Sequence, residues 1–410
     1  MTVIEVLSAI AVPRPNGSRA AEETARFIAG TMRGLTPYVS EHEFFLRPYM
    51  QPLLGLFFAV LGAVALLLIV RRRFLPALLV ALMIPAVYLG EFELNVPVVT
   101  WVGGRTGVNV IADFLPADGP AMRQVTFSAH YDSKTDLFDH AQRKPILGFA
   151  PIAMACLVLA SALGAIFRGP RVARSARAAS VILAVVGFTG LFMLMLVFSG
   201  GLLVSRDRQS PGARDNAAAV AVLMALAEDI ATGVVPLEQT RVKMIFFGGE
   251  EVNMQGSTAY ARLVEREQQH SRLSPAVSPA VPDILSNCVV INCELIGGEG
   301  VYCYWENSGT FLSRHQASAQ AVAVYQAALA SLGIEPALPA GAIFDDSGPL
   351  LAVGLRAVTV GHMNPHTRDS YHNAGDSLDK VVPAKLEETR LVFREIVSKV
   401  DQGEGGDDIL

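Results

Sequence analysis

The sequence predicts an α/β fold in which a mostly parallel mixed sheet is flanked by helices and interrupted by two inserted transmembrane helical hairpins. Three observations support this fold class. Short apolar runs rich in Val, Ile and Phe alternate with longer amphipathic or alanine-rich segments, as in sheets covered by helices. Four other stretches carry no charge and have the length of membrane spans. They come in pairs, each around an arginine-rich turn.

The composition of the 410 residues fits one large domain combined with membrane helices. Charged residues make up only 17% of the chain, whereas soluble domains carry about 25%. The mean hydropathy of +0.39 comes from the four charge-free stretches. A net charge of -5 gives no sign of a nucleic-acid partner, and the oligomeric state stays unknown.

The four cysteines leave the redox compartment open. Cys156 lies in an apolar stretch, where packing is its expected role. Cys288, Cys293 and Cys303 are too few for a disulfide framework or a zinc ribbon, although one disulfide among them is open.

The charge-free stretches predict four membrane spans in two hairpins. Hairpin 1 covers residues 50–91 around the arginines at 71–73, and hairpin 2 covers 143–204 around four arginines within 168–177. In chain order the stretches are 52–70, 74–90, 145–167 and 181–204. A span needs roughly 17–25 apolar residues, so all four qualify, the second marginally. Buried core helices are the alternative, but their pairing around basic turns favours a lipid bilayer as partner.

The hairpins interrupt a discontinuous domain that consists of residues 1–49, 92–142 and 205–400, and the acidic, Gly-rich tail 401–410 is expected to be disordered. Lys and Arg favour cytoplasmic loops, so the basic turns predict a multi-pass membrane protein with this domain on the non-cytoplasmic side. The absence of a basic segment followed by an apolar one at the N-terminus argues the other way.

Within that domain, strands and helices alternate along the chain. Ser18 is a candidate N-cap for an amphipathic helix at 20–30, and the runs 108–114 and 125–129 are expected to be neighbouring strands. The later elements are a helix at 217–230, strands at 241–247 and 289–293, a helix at 316–332, a strand at 357–360 and a helix at 384–400. A Pro- and Ser-rich stretch, 271–282, predicts a surface loop.

Histidine and carboxylate side chains follow the predicted strands where each strand ends. They are His130, Glu250, Glu251 and Glu294. Neighbouring residues on a strand point to opposite faces, so Glu250 and Glu251 reach one site only where the strand opens into a loop. Ligands gather beyond the carboxyl ends of strands in such sheets. With Asp215 before a helix and His372 near the C-terminus, this pattern indicates a two-metal hydrolase.

Five short motifs occupy these boundaries in a fixed order. They are His-x-Asp at 130–132, Gly-Ala-x-Asp-Asn at 212–216, Gly-Glu-Glu at 249–251, Asn-x-Glu-x-Ile-Gly at 292–297 and Tyr-His-x-x-x-Asp-Ser at 371–377. Each is weak alone, but together, across essentially all the soluble sequence, they resemble the M28 family of zinc metallopeptidases. The resemblance implies a zinc aminopeptidase-like fold, which is similar to that of glutaminyl cyclases.

The resemblance also implies two Zn²⁺ ions and a set of site residues. The implied metal ligands are His130, Asp215, Glu251, Glu294 and His372. Asp215 would bridge both ions. Glu250 would be the general base that takes a proton from metal-bound water, and the resulting hydroxide would attack the substrate. Asp132, counted with Glu250 among the catalytic residues, would hold the second nitrogen of the His130 imidazole.

The chain departs from the family pattern at two places. Glu294 stands where most members have Asp, which puts metal geometry and metal identity in question. The segment 344–350 stands in the place of the family's Ser-Asp-His-x-Pro-Phe segment and lacks its histidine. Asp345 or Asp346 is expected to contact a metal ligand without binding the metal itself. Tyr371 would donate to an oxyanion or simply pack. Asp376 is expected to cap the final turn, and five histidines are expected at the surface or in loops: His140, His270, His315, His362 and His366.

The function implied is a membrane-embedded di-zinc metallopeptidase acting on a peptide substrate, with an aminopeptidase as the first expectation. A carboxypeptidase, a dipeptidase or a glutaminyl cyclase on the same scaffold stays open, and cyclisation in that similar family uses a single zinc. A catalytically inactive receptor or assembly protein is the other alternative. It is disfavoured because all five ligand positions and the base hold competent side chains.

Overall fold

The structure, a computed structural model, describes residues 1–167, 173–273, 288–339, 341–363 and 371–403. The chain divides into two units. Unit 1 consists of Met1–Leu46, Arg105–Lys134 and Ser210–Leu410, and unit 2 consists of Arg47–Gly104 and Thr135–Gln209.

The described residues form strands and helices with the following bounds. The strands are β1 (Val39–Leu46), β2 (Arg105–Phe114), β3 (Arg123–His130), β4 (Thr240–Phe247), β5 (Cys288–Glu294), β6 (Val301–Trp305), β7 (Asn307–Gly309), β8 (Arg314–Gln316) and β9 (Arg356–Met363). The α-helices are α1 (Val3–Ile10), α2 (Arg19–Leu35), α3 (Met50–Val70), α4 (Phe74–Tyr88), α5 (His140–Ile166), α6 (Ala173–Phe198), α7 (Gly200–Leu203), α8 (Ala218–Ala231), α9 (Gln255–Leu273), α10 (Ala319–Ser331), α11 (Ser347–Ala352) and α12 (Pro383–Gln402).

Seven strands of unit 1 form one mixed sheet in the order β1-β2-β4-β3-β5-β9-β6. The four central strands, β4, β3, β5 and β9, are parallel, whereas β2 and β6 pair antiparallel with the outer two of them. The predicted mostly parallel mixed sheet is confirmed. The expectation that 108–114 and 125–129 are adjacent is wrong, because β2 pairs with β4 and β4 therefore lies between them.

The central strands alternate between two hydrophobic cores. Val242, Met244 and Phe246 of β4 belong to the core formed with α1, α2, α8, α10 and α12. Ile245 and Phe247 belong to the core on the opposite face, with α9 and α11. Since both faces are covered, such strands appear in the sequence as nearly continuous apolar runs. This is why their positions were predictable to within three residues.

Several ends and connections of unit 1 differ from the prediction. Ser18 caps α2 as expected, since its Oγ accepts a hydrogen bond from the Ala21 N–H. Helix α12 continues to Gln402, and the Asp401 carboxylate accepts hydrogen bonds from two backbone N–H groups at 238–239. The first residues of the predicted tail are therefore ordered, whereas 404–410 lie outside the described residues. Of the predicted loop 271–282, residues 271–273 end α9 and the rest lie outside the described residues.

Four helices of unit 2 are long and apolar enough to cross a membrane. They are Met50–Val70, Phe74–Glu93, His140–Ile166 and Arg174–Phe198. The fourth begins earlier than the predicted stretch 181–204 because the alanine-rich sequence at 173–179 extends α6 toward the basic turn. Arg174 and Arg177 consequently lie on this helix, and residues 168–172 lie outside the described residues.

A buried ion pair joins the start of α3 to the segment after α4 in unit 2. The Arg47 Nη1 atom lies 2.6 Å from Glu91 Oε2, and both side chains are at most 3% exposed. Glu91 Oε1 also accepts hydrogen bonds from the backbone N–H groups of residues 98–100, and Glu91 Oε2 accepts one from the Thr100 hydroxyl. Both oxygens of this buried carboxylate are therefore satisfied within unit 2.

Candidate metal centre

Histidine and carboxylate side chains converge in unit 1 beyond the carboxyl ends of three neighbouring parallel strands. His130 is the last residue of β3, and Glu294 is the last residue of β5. Glu250 and Glu251 follow β4 after two glycines, and Gly249 has φ +75°, a left-handed conformation that favours glycine. The turn frees both glutamates from the alternation of the strand, so that they share one edge of the sheet.

Asp215 and His372 come from segments outside the sheet. Asp215 lies in a buried segment between Gly212 and α8, and its peptide bond to Asn216 is cis. Gly212 has φ +61°, and a Cβ atom there would lie 2.7 Å from Ser133 Cβ. Glycine is therefore required for the close approach of this segment to the chain after β3. His372 lies beyond β9 and is half-buried.

These side chains form two groups of metal-binding type that share Asp215. His130 Nε2 lies 3.2 Å from Asp215 Oδ1 and 3.4 Å from Glu294 Oε2. His372 Nε2 lies 3.0 Å from Asp215 Oδ2 and 3.0 Å from Glu251 Oε1. In each group the three donor atoms lie within 4.8 Å of one another. The two oxygens of Asp215 thus face different histidines.

The donor chemistry and spacing of both groups fit zinc. Imidazole nitrogen and carboxylate oxygen bind Zn²⁺ at about 2.0–2.2 Å, so the edges of a tetrahedral site are roughly 3.3–3.5 Å long. The separations of 3.0–3.4 Å between histidine and carboxylate atoms are close to these edges. One carboxylate that faces both groups is the arrangement expected of two cations held about 3.5–4 Å apart.

The pKa values in the centre reflect buried negative charge. Burial raises the pKa of Glu250 well above its ordinary value. His130 opposes this shift, whereas the carboxylates of Glu251 and Glu294 add to it. Burial raises the pKa of Glu294 to about 7, although His130 opposes it. Burial disfavours the charged form of His130, but Glu294 and Glu250 outweigh it and raise the pKa of His130 well above its ordinary value. Cations at this place would stabilise the ionised carboxylates.

Comparison with known proteins identifies the domain. Residues 200–397 match the model of peptidase family M28. These residues resemble the domain of M28 peptidases, hereafter the M28 domain. None of the curated proteins compared with the chain matches it.

Solved structures share the fold of the M28 domain. A glutaminyl cyclase from Macrostomum lignano is 16% identical over 98% of this chain and 88% of its own, with a TM-score of 0.52. BSAP, a zinc aminopeptidase from Bacillus subtilis, is 14% identical over 97% of this chain and 94% of its own, with a TM-score of 0.50. An aminopeptidase from Aneurinibacillus sp. strain AM-1 is 17% identical over 72% of this chain, with a TM-score of 0.41. The chain spans about half, 48%, of that protein's length.

Asp132 organises the turn of the M28 domain that carries the glutamates. Its carboxylate accepts hydrogen bonds from the backbone N–H groups of Glu250 at 3.3 Å and Glu251 at 3.1 Å, and from Asn16 Nδ2 at 2.5 Å. His130 Nδ1 lies 3.1 Å from the Asp132 carbonyl oxygen and 3.7 Å from its carboxylate. The carbonyl oxygen of Asp132 is therefore the closer partner of the imidazole.

Arg14 is a buried cation that the sequence analysis did not identify as a site residue. Its guanidinium group donates hydrogen bonds to the carbonyl oxygens of Tyr131 at 2.5 Å, Pro211 at 2.6 Å and Gly212 at 2.9 Å. It thereby joins the chain after His130 to the chain before Asp215. Burial lowers the pKa of Arg14 to about 10, so the group stays charged at neutral pH. The carboxylates that favour its charge are Asp376, Asp132, Asp215 and Glu251.

Asp376 and Asn216 fix the backbone and the side chain of two expected ligands. The Asp376 carboxylate accepts hydrogen bonds from the N–H groups of Arg214 at 2.9 Å and Asp215 at 3.2 Å, so it does not act as the predicted cap of the final turn. Burial raises the pKa of Asp376 to about 6. Asn216 Nδ2 donates a hydrogen bond to Glu294 Oε2 at 3.2 Å. Both contacts orient groups of the metal centre.

A buried polar path leads from Asp345 to Glu294. Asp345 Oδ1 accepts a hydrogen bond from Ser347 Oγ at 2.8 Å, and Thr359 Oγ1 donates to Ser347 Oγ at 2.8 Å. Asn292 Nδ2 lies 3.5 Å from Thr359 Oγ1 and 3.5 Å from Glu294 Oε1. The Ser347 hydroxyl thus links Asp345 to Thr359 of β9, and Asn292 continues the path to Glu294 of β5.

Asp346 and Tyr371 lie near the metal centre. Burial raises the pKa of Asp346 well above its ordinary value, with His130 opposing the shift. The ring of Tyr371 packs edge-on against the imidazole of His372, with 4.8 Å between ring centroids.

The remaining histidines and cysteines fall outside the centre. His362 is wholly buried within β9 rather than at the surface, and its Nδ1 accepts a hydrogen bond from the Gly297 N–H at 2.8 Å. His140 is exposed and His315 is half-buried, whereas His366 and the side chain of His270 are not described. All four cysteines are free thiols, so the disulfide left open by the sequence does not form in this structure.

Proposed function

We propose that the chain is a membrane-embedded di-zinc aminopeptidase that hydrolyses peptide bonds with Glu250 as general base. The observation that carries this proposal is the sharing of Asp215 between two groups of zinc-binding donors. His130 and Glu294 would hold one ion, Glu251 and His372 the other, and Asp215 both. A catalytically inactive receptor or assembly protein would be expected to have lost some of these metal-binding side chains.

Two bound zinc ions would supply Lewis acidity for the scissile carbonyl and for the attacking water. The chain's own residues would move the proton. Glu250 Oε2 lies 3.9 Å from His130 Nε2 and the side chain is buried, so its carboxylate borders the donor group of His130 without belonging to either group. A carboxylate in this position accepts a proton from water and transfers it to the leaving amine. Asp132 and its two backbone hydrogen bonds would keep Glu250 at the required distance.

The proposal includes the location of the two units. Unit 1 would be the metallopeptidase domain, and unit 2 would be the membrane domain formed by the two inserted hairpins. Four helices of span length support the embedding. The arginines at 71–73 and 168–177 would face the cytoplasm and unit 1 the opposite side, since Lys and Arg are enriched in short cytoplasmic loops.

The test compares the detergent-purified wild-type chain with Glu250→Gln on amino-terminal, carboxy-terminal and glutaminyl peptides. Removing the base should reduce the rate about 10²- to 10⁴-fold while zinc content and melting temperature stay unchanged. Glu299→Gln, which changes an exposed glutamate outside the centre, is the matched control and should keep full activity.

Each outcome separates the alternatives. Release of amino-terminal residues with two zinc ions supports the aminopeptidase. Cyclisation of glutaminyl peptides with one zinc identifies a glutaminyl cyclase, and release of carboxy-terminal residues identifies a carboxypeptidase. Equal turnover by wild type and Glu250→Gln refutes the role of Glu250. No turnover by a wild-type chain that retains zinc favours the receptor or assembly protein.

A further inference from the structure

A cavity at the basic end of unit 2 has an unusual concentration of positive charge. Its volume is about 430 Å³, within the range of small-molecule sites, and it lies where the turn between α3 and α4 approaches the end of α5 and the start of α6. Arg72, Arg73 and Arg177 line it. Arg72 and Arg73 are exposed and Arg177 is half-buried, so their positive charges repel one another only weakly in water, and together they attract an anion.

The protein offers these arginines no counter-charge in the part of the chain that is described. Residues 50–90 and 141–206, which contain the four predicted spans, include no Asp or Glu. Within the described residues, no ion pair involves Arg72, Arg73 or Arg177. The turn itself is held by its backbone, since the Arg72 N–H donates to Ile69 O at 2.9 Å and the Arg73 N–H to Leu68 O at 2.7 Å. The charges are thus presented by an ordered turn.

The other walls of the cavity are apolar. Phe74, Leu75 and Phe167 line it beside the arginines. The Phe74 ring lies directly on Gly164 of α5, where an added Cβ atom would come within 2.0 Å of the ring. Close contact of this kind fixes the aromatic wall against the helix backbone. A ligand that fills the cavity therefore needs an anionic group next to an apolar one.

We propose that this cavity binds the phosphate group of an anionic phospholipid. The arginines would hold the phosphate, since guanidinium groups match its geometry, and the apolar walls would contact the first part of the acyl region. Basic pockets between membrane helices are recognised sites for anionic headgroups. The proposal depends on the membrane embedding included in the proposed function, but not on zinc or peptidase activity.

The test uses the full chain in detergent and in phosphatidylcholine nanodiscs, with added phosphatidylglycerol as the probe. Bound phosphatidylglycerol is counted by native mass spectrometry across a titration. The pocket variant is Arg73→Gln with Arg177→Gln. The matched control is Arg71→Gln with Arg174→Gln, which removes the same charge from the same turn and helix but from side chains that do not line the cavity.

The pocket variant should bind phosphatidylglycerol about thirty-fold more weakly, from about 1 kcal/mol for each arginine, whereas the control should stay within about three-fold of wild type. Photo-crosslinking of a headgroup-labelled lipid to the wild-type chain should label residues 72–76, 164–167 and 174–177, which tests the site without any variant. Inorganic phosphate and glycerol phosphate, each at the same concentration as the lipid, should not displace it.

Three results would overturn the proposal. Equal weakening in both variants would indicate diffuse attraction rather than a site. Displacement by inorganic phosphate would indicate a small-anion site without a lipid component. Crosslinks elsewhere in the chain would place the lipid at another surface. A chain that does not integrate into membranes at all would instead refute the membrane part of the proposed function, which separates the two failures.

Discussion

The two units of the chain bury charge in opposite ways. In unit 2, Glu91 and Arg47 lie 2.6 Å apart, and the carboxylate also accepts three backbone N–H groups. In unit 1, the metal centre brings the carboxylates of Asp215, Glu251 and Glu294 around two histidines, with atoms 3.0–3.4 Å apart. The buried charge of unit 2 is thus compensated by the protein, whereas that of unit 1 lies in the two donor groups that we propose hold zinc.

This difference teaches how each region depends on its surroundings. A buried ion pair whose hydrogen bonds are all formed needs no ligand to stay in place. Removal of one partner is strongly destabilising, because it leaves a buried charge unpaired. A cluster of buried carboxylates is stabilised only when cations or protons neutralise it. We therefore expect unit 2 to be sensitive to single substitutions and insensitive to chelators, and unit 1 to respond to both.

The largest expected effect comes from removing one member of the pair in unit 2. Arg47→Met would leave the Glu91 charge buried without its partner and should cost about 3–5 kcal/mol of folding stability. The measurement is denaturant unfolding followed by a probe in unit 2. Arg19→Met, which breaks an exposed pair with Glu23, is the control and should cost less than about 1 kcal/mol. Similar losses in both variants would contradict the comparison.

Metal removal should act on unit 1 alone. At a zinc concentration of about 100 times the Kd, bound metal adds about 2.7 kcal/mol, so its loss should speed amide exchange about 100-fold in segments 211–217 and 248–254. Residues 89–100 around Glu91 should exchange at an unchanged rate. Hydrogen exchange with mass spectrometry before and after chelation measures both, and added zinc should restore protection. Equal changes in the two units would break the distinction.

Residues that position the metal ligands should affect zinc affinity less than the ligands do. Asp376→Asn keeps the side-chain shape but removes one of the two oxygens that accept from Arg214 and Asp215, and it should weaken zinc binding about 10- to 100-fold. Asp379→Asn, three residues along and exposed, is the matched control. Competition with a chromogenic chelator gives both affinities, and an unaltered affinity in Asp376→Asn would show that Asp376 does not position the centre.

The smallest effect concerns a buried neutral group in unit 1. Burial lowers the pKa of His362 to about 3, from 6.5, with Lys385 and Arg214 adding to the shift. Between these values the unfolded chain binds a proton that the folded chain does not, so stability is lost as pH falls below 6.5. At pH 5.5 the loss should be about 1.3 kcal/mol relative to neutral pH. Melting of wild type and His362→Gln at both pH values tests this, since the wild type should lose about 1.3 kcal/mol more than the variant when the pH falls from 7 to 5.5.

Local patterns account for much of what could be predicted. The central strands are buried on both faces, so apolar runs mark their ends, and residues such as His130 and Glu294 are found directly at those ends. The metal-binding assignment additionally required five motifs in order. Strand β1 was not predicted, because its sequence Val39–Leu46 is only partly buried and contains charged residues at edge positions.

Contacts between distant parts of the chain could not be predicted. Arg14 lies 117 residues before Tyr131 and 198 before Gly212 in sequence, and nothing local distinguishes it from a surface arginine in a turn. Asp376 is 162 residues from Arg214, and its local sequence fits a turn cap equally well. His362 was expected in a loop because its burial depends on β5, β6 and α12 packing around β9.

The central claim is that unit 1 holds two zinc ions that share Asp215. The most direct measurement is the zinc content of the purified chain, by mass spectrometry of the metal, in wild type, His372→Ala and Asp215→Ala. The account predicts two ions in wild type, one in His372→Ala and fewer than one in Asp215→Ala. One ion in wild type that is retained without loss in His372→Ala would contradict it.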